Sequence, residues 1–148
     1  MTQKPTYEDA ELIMKLYDLR REQRLRAARA WFFAEFSART VNEAMEKYPP
    51  GSDHNAYYRM VGGYWDMAAS FVATGILHEE LFFQSAGGEL LATWEKVKDI
   101  VYDLREITKN PTLFRNLEQA ATRMIAWLER QAPGAYEAMM AFRSKPEK

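Results

Sequence analysis

Between Thr6 and Tyr48 the chain contains neither proline nor glycine, and this uninterrupted stretch constrains the fold more than any motif does. The stretch ends at "YPPG", residues 48–51, where proline removes a backbone donor and disfavours helical geometry in the residue before it. Leu12, Leu16, Leu19, Gln23, Ala27 and Ala30 recur at helical spacing, beside a second track of Ile13, Tyr17, Ala28 and Phe32. Thr6 followed by Asp9 is a capping-box pattern, and Glu8, Asp9 and Glu11 suit the positive end of a helix dipole. The spacing therefore predicts one long helix over 7–48, roughly 60 Å at about 1.5 Å per residue. Such a rod exceeds the width of a small domain, so it is expected to break or to project an end into a partner.

The remainder reads as helices separated by local breakers. A second helix is expected from Ser52 or Asp53 to Gly75, apolar on two adjacent stripes, with Gly62 and Gly63 marking close helix approach or a kink. A short third helix follows His78 and closes at "SAGG", residues 85–88; a fourth runs from about Gly88 to Lys109. "NP" at 110–111 starts a fifth with Pro111 in its first turn, and "APG" at 132–134 precedes a sixth bearing Tyr136, Met139, Met140 and Phe142. No stretch shows the alternation of a half-buried strand. The 148 residues suit one domain, 1–148, with 1–5 and 144–148 frayed. The expected fold is all-α: a single-domain bundle of five to six helices with a long N-terminal helix.

Composition narrows the chemistry. A formal charge of −1 gives no global attraction to nucleic acid or an anionic membrane, and the absence of cysteine excludes disulfides and thiolate chemistry. The charge-free run Met67–Leu77 is far shorter than the roughly 20 residues of a spanning helix, and the first residues lack a secretory pattern. A soluble, cytoplasmic protein with no membrane partner is expected.

The span "GILHEELFFQSAGGELLATWEKV" looks most like a site, with His78 beside Glu79 and Glu80. Adjacent helical residues point about 100° apart, so 78, 79 and 80 cannot converge on a metal from one helix. They read as a cap and a first turn. No paired metal-ligand motif, nucleophile elbow or phosphate-binding loop occurs, so no catalytic residue, metal site or cofactor is expected. "RREQRLRAAR" holds five arginines, Arg20, Arg21, Arg24, Arg26 and Arg29. They distribute around the helix rather than along one groove-reading face, which makes nucleic-acid binding through Arg20–Arg29 a minor alternative. Asp66 and Arg105, polar on inward-leaning segments, read as structural ion pairs or as anchors in a cavity.

The stretch from Trp65 to Leu117, about a third of the chain, resembles a group of small bacterial all-helical domains of unknown function. The carrying residues are "FVATGILHEELFFQSAGGELLATW", Arg105 and "FRNLEQ": a Gly-terminated apolar helix, a Glu-rich restart, and a glycine ahead of a tryptophan. Many members of that group place a membrane-spanning helix ahead of the domain, where this chain carries the charged segment 7–48. The resemblance implies a helical fold and no activity.

The leading expectation is a non-catalytic interaction or assembly module, a homo-oligomer and most simply a dimer, with Arg20, Arg24, Trp31, Phe32, Phe33 and Phe36 at its interface. The alternative is a ligand-binding protein or enzyme whose inter-helix pocket is walled by Tyr57, Tyr64, Trp65 and Trp94, with Asp66, His78 or Arg105 as polar anchors.

Overall fold

The computed structural model describes residues 3–144; the expected fraying at 1–2 and 145–148 lies outside the described residues. Seven helices are present among them: α1 (Tyr7–Arg21), α2 (Gln23–Glu35), α3 (Val41–Lys47), α4 (Asp53–Ala73), α5 (Glu79–Thr108), α6 (Arg115–Gln131) and α7 (Ala135–Arg143). No strand occurs among the described residues, and no helix there is long and apolar enough to cross a membrane.

The long N-terminal rod is corrected to three helices. Glu22 leaves helical geometry at φ −56°, ψ 137°, and its carboxylate accepts from the Arg24 and Leu25 amides at 3.0 and 2.9 Å. It thereby ends α1 and caps α2 without glycine or proline. The second break follows Phe36, and Thr40 restarts the chain by accepting from the Glu43 amide at 3.1 Å. Folding back lets Leu16, Leu25, Phe32 and Phe36 enter one core. Full burial of such side chains stabilises by about 1.5–3 kcal/mol each, which outweighs continuing a helix into solvent.

The expected third and fourth helices are corrected to one, α5, whose 30 residues extend about 45 Å. Gly87 and Gly88 lie inside it. A Cβ on Gly87 would stand 2.6 Å from Met124 Sδ, whereas one on Gly88 would meet nothing within 4 Å. The first glycine is thus a notch for α6, not a stop. Pro111 also shifts role, because α6 begins only at Arg115, after a turn in which Asn110 Oδ1 accepts from the Thr112 amide at 3.0 Å.

Several local expectations hold. Thr6 and Asp9 form the reciprocal capping box, Ser52 caps α4, and His78 caps α5 with Glu79 and Glu80 in the first turn. Gly75, at φ +80°, takes the left-handed conformation that glycine permits, and the buried Leu77 follows it. Helix α4 packs against α2, α5 and α6; α1 lies against α2 and α5, and α7 against α6. Trp65, Phe82, Leu90, Leu91 and Leu117 are fully enclosed among them.

Candidate functional site

An apolar groove of about 700 Å³ opens between α3, α4 and α5. Val97, Ile100, Val101 and Leu104 give it one wall from α5, at helical spacing. Ala56, Met60 and Gly62 of α4 give another, with Val41 and Ala44 contributed by α3 and Phe36 and Phe114 by the α2–α3 and α5–α6 connections. Tyr58 and Arg59 complete the lining, and Arg59 is the one charged residue in it among the described residues. Phe114 holds φ 56°, an uncommon conformation for a bulky side chain. Its ring lies 3.5 Å from the position of a Cβ on Gly62. That is ordinary van der Waals contact, so the connecting turn lies against α4 without requiring a glycine there. Near the groove, the Val41 amide donates to Asp103 Oδ2 at 2.7 Å, fixing the start of α3 to α5.

The polar residues singled out in the sequence occupy two separate places. Asp66 on α4 accepts from the Leu117 amide at 3.0 Å. It thereby caps α6 from another helix, because Phe114 at the N-cap supplies no side-chain acceptor. Burial pushes the Asp66 carboxyl up, while the Leu117 N–H and the nearby Arg105 guanidinium pull the other way. Arg105 donates through Nε to the Leu113 carbonyl and through Nη1 to Glu118 Oε1, both at 2.9 Å. Its buried Nη2 has no partner among the described residues. Asp66 and Arg105 together hold the turn before α6.

His78 lies elsewhere. Its Nδ1 accepts from the Leu81 amide at 3.2 Å, its Nε2 meets the Gln3 carbonyl, and its backbone N–H donates to Asp9 Oδ1 at 2.9 Å. The Asp9 carboxyl is held below its usual range, chiefly by the N–H groups of Thr6 and then of His78. A second, polar cavity of about 480 Å³ adjoins His78, Glu79 and Glu80, with Glu79 paired to Arg123 across it. No group of three His, Asp or Glu side chains among the described residues has metal-holding geometry.

The aromatic residues expected to wall a pocket are likewise dispersed. Tyr57 belongs to a surface-side cluster with Trp31 and His54, whose rings stack at 4.5 Å. Tyr64 and Trp65 pack edge to face in the core, and Trp94 packs against Tyr102. None of Tyr57, Tyr64, Trp65, Asp66, His78, Trp94 and Arg105 lines the apolar groove.

The expected interface residues divide similarly. Phe32 and Phe36 are buried in the chain's own core, Phe33 and Trp31 pack partly against it, and Arg24 stays exposed over the Tyr57 ring. Arg20 is only 7% exposed. It donates to the Tyr64 hydroxyl at 2.9 Å, and that hydroxyl donates to the Leu16 carbonyl at 2.5 Å. Arg29 grips Glu89 through two bonds of 2.6 and 2.9 Å and reaches the Arg20 carbonyl at 3.1 Å. Two of the five arginines are thus internal braces between the α1–α2 corner and α5. Glu89, whose role the sequence reading missed, is their shared carboxylate. Its partners lie sixty or more positions away, beyond any local signal.

A family model described as a domain of unknown function, DUF4760, matches residues 5–124, and the chain belongs to that family. The match takes in the resemblance at 65–117 and ends within α6, leaving α7 beyond it. No curated protein and no solved structure matches the chain.

Proposed function

We propose that this DUF4760 domain is a binding module that receives the apolar part of a small ligand in the groove between α3, α4 and α5. The lining of that groove carries the reading: aliphatic and aromatic side chains from five parts of the chain, with Arg59 the single charge among the described residues. Its volume falls within the roughly 300–1,000 Å³ usual for small-molecule sites. An aliphatic segment of about six methylenes would gain roughly 5 kcal/mol from burial there, against an association cost that starts near 4 kcal/mol. Weak, saturable binding follows. The neutral fluorophore N-phenylnaphthylamine should brighten on the folded protein with one-to-one saturation. Ala56→Trp, which fills the groove from a half-exposed position, should abolish the signal while keeping the helical circular dichroism. An absent signal in the unmodified protein, or an unchanged one in the variant, removes the proposal.

A second reading, self-association, is supported by a different surface. With Phe32 and Phe36 buried, an exposed apolar face among the described residues is the outer side of α1, where Tyr7 is 76% and Met14 69% exposed, with Tyr17 beside them. Glu8 and Glu11 precede Met14; Lys15 and Arg21 follow it, with the exposed Asp18 between them and 3.9 Å from Arg21. Two copies packed antiparallel would set Glu8 and Glu11 of each α1 against Lys15 and Arg21 of the other, the self-complementarity that a two-fold dimer requires. Light scattering at micromolar concentration tests it. A dimer weakened by Met14→Glu is expected, and a clean monomer ends the reading.

A further inference from the structure

We infer that the groove's ligand is an amphiphile with an aliphatic chain and a carboxylate head, the head seated at Arg59. This rests on the groove being a binding site, and adds which end of the ligand goes where. Arg59 is exposed, lines the groove, and has no carboxylate within ion-pair distance among the described residues. Its neighbour Tyr58 is half-buried; its phenol oxygen accepts from Asn55 Nδ2 at 3.3 Å, while its own O–H has no acceptor among the described residues. Burial raises the Tyr58 phenol above its usual range, so it remains a neutral donor. Two donors with nothing to donate to, one of them charged, thus border an otherwise apolar surface. A carboxylate accepts from the Arg59 guanidinium, and charge-assisted hydrogen bonds of this kind are about twice as strong as neutral ones.

The surrounding charges agree with that assignment. Asp103, a carboxylate near the groove, accepts from the Val41 amide through Oδ2. Lys96, half-buried, donates to the carbonyl of Phe36, a lining residue, at 2.9 Å and has no carboxylate partner among the described residues. No carboxylate among the described residues lines the groove to receive a cationic head, which would meet Arg59 instead, and a neutral head would gain little from it. The chain of the amphiphile would run along Val97, Ile100, Val101 and Leu104.

The test is calorimetric titration of the full chain with dodecanoate and, separately, dodecanol, each below its aggregation threshold. Dodecanoate is expected to bind one-to-one and about tenfold tighter than dodecanol, the factor of one charge-assisted hydrogen bond. Arg59→Gln should weaken dodecanoate by about that factor and leave dodecanol unchanged. Leu104→Glu, which puts a carboxylate on the half-buried wall, should weaken both. Equal affinities for the two probes, or a preference that survives Arg59→Gln, overturns the carboxylate assignment and leaves the groove as a site. So does failure of both probes on protein that still binds the neutral fluorophore. Failure of both probes and of the fluorophore overturns the inference and the binding proposal together.

Discussion

Glu89→Ala removes the carboxylate that braces the arginine-rich corner against α5, and its cost can be worked from the geometry. Arg29 meets Glu89 in a two-bonded fork, and the side chains are 25% and 24% exposed. Arg20 Nε stands 4.0 Å from the same carboxylate and is itself nearly enclosed. Breaking a fully buried pair costs about 3–5 kcal/mol because a charge is left without compensation, whereas exposed pairs contribute about 0–1 kcal/mol. A fork open to water on a quarter of its surface, with Arg20 still held by the Tyr64 hydroxyl, falls between these limits at about 2–3 kcal/mol. That is a large share of the roughly 5–15 kcal/mol that stabilises a domain. Urea unfolding followed by circular dichroism measures it. A cycle with Arg29→Ala should return a coupling of about 1–2 kcal/mol. A loss below about 0.5 kcal/mol, the scale of ordinary surface substitutions, with no coupling would refute the reasoning. The arginines would then be free surface charges, available to an acidic partner.

Three further outcomes follow from other parts of the fold. Asp9, whose carboxyl is held low by the Thr6 and His78 N–H groups, contributes stability that is present above its unfolded pKa of about 3.9. That contribution is lost as pH falls through the folded value, so the melting temperature of Asp9→Asn should decline less steeply than wild type under acid. Gly88→Ala should stabilise by about 0.5–1 kcal/mol, the helix propensity gain. Gly87→Ala should gain less than Gly88→Ala, because its Cβ must displace the end of the Met124 side chain; equal gains in thermal melts of the pair would show that the notch is not filled. Asp66→Ala should cost about 1–2 kcal/mol, the scale of a lost N-cap, and speed hydrogen exchange at Leu117. Asp66→Asn, which keeps an acceptor and removes a buried charge, should cost less than half as much.

What was legible in the sequence was local. Thr6, Ser52, His78 and Gly75 were placed correctly because a cap or a stop is satisfied within four residues of itself, and composition excluded cysteine chemistry outright. The corner at Glu22 was invisible because no breaker marks it: a side chain common in helix interiors ends one there, and long-range burial of Phe32, Phe36 and Arg20 selects that outcome. The Gly87–Gly88 pair was misread for the complementary reason, since a packing notch and a terminator use the same residue. The groove was hidden in a different way. Val97, Val101 and Leu104 form an ordinary helical stripe, and a stripe cannot reveal whether another helix or open space faces it. The aromatics that attracted notice, Tyr64, Trp65 and Trp94, went into packing.

The groove as the binding surface is tested most directly by methyl-resolved NMR of the labelled chain titrated with dodecanol, a probe that needs no charge complementarity. Saturable shifts confined to the methyls of Val41, Met60, Val97, Ile100, Val101 and Leu104 are predicted. Shifts scattered over exposed methyls such as Met14 and Ile76, or no saturable shift at any methyl, would contradict it.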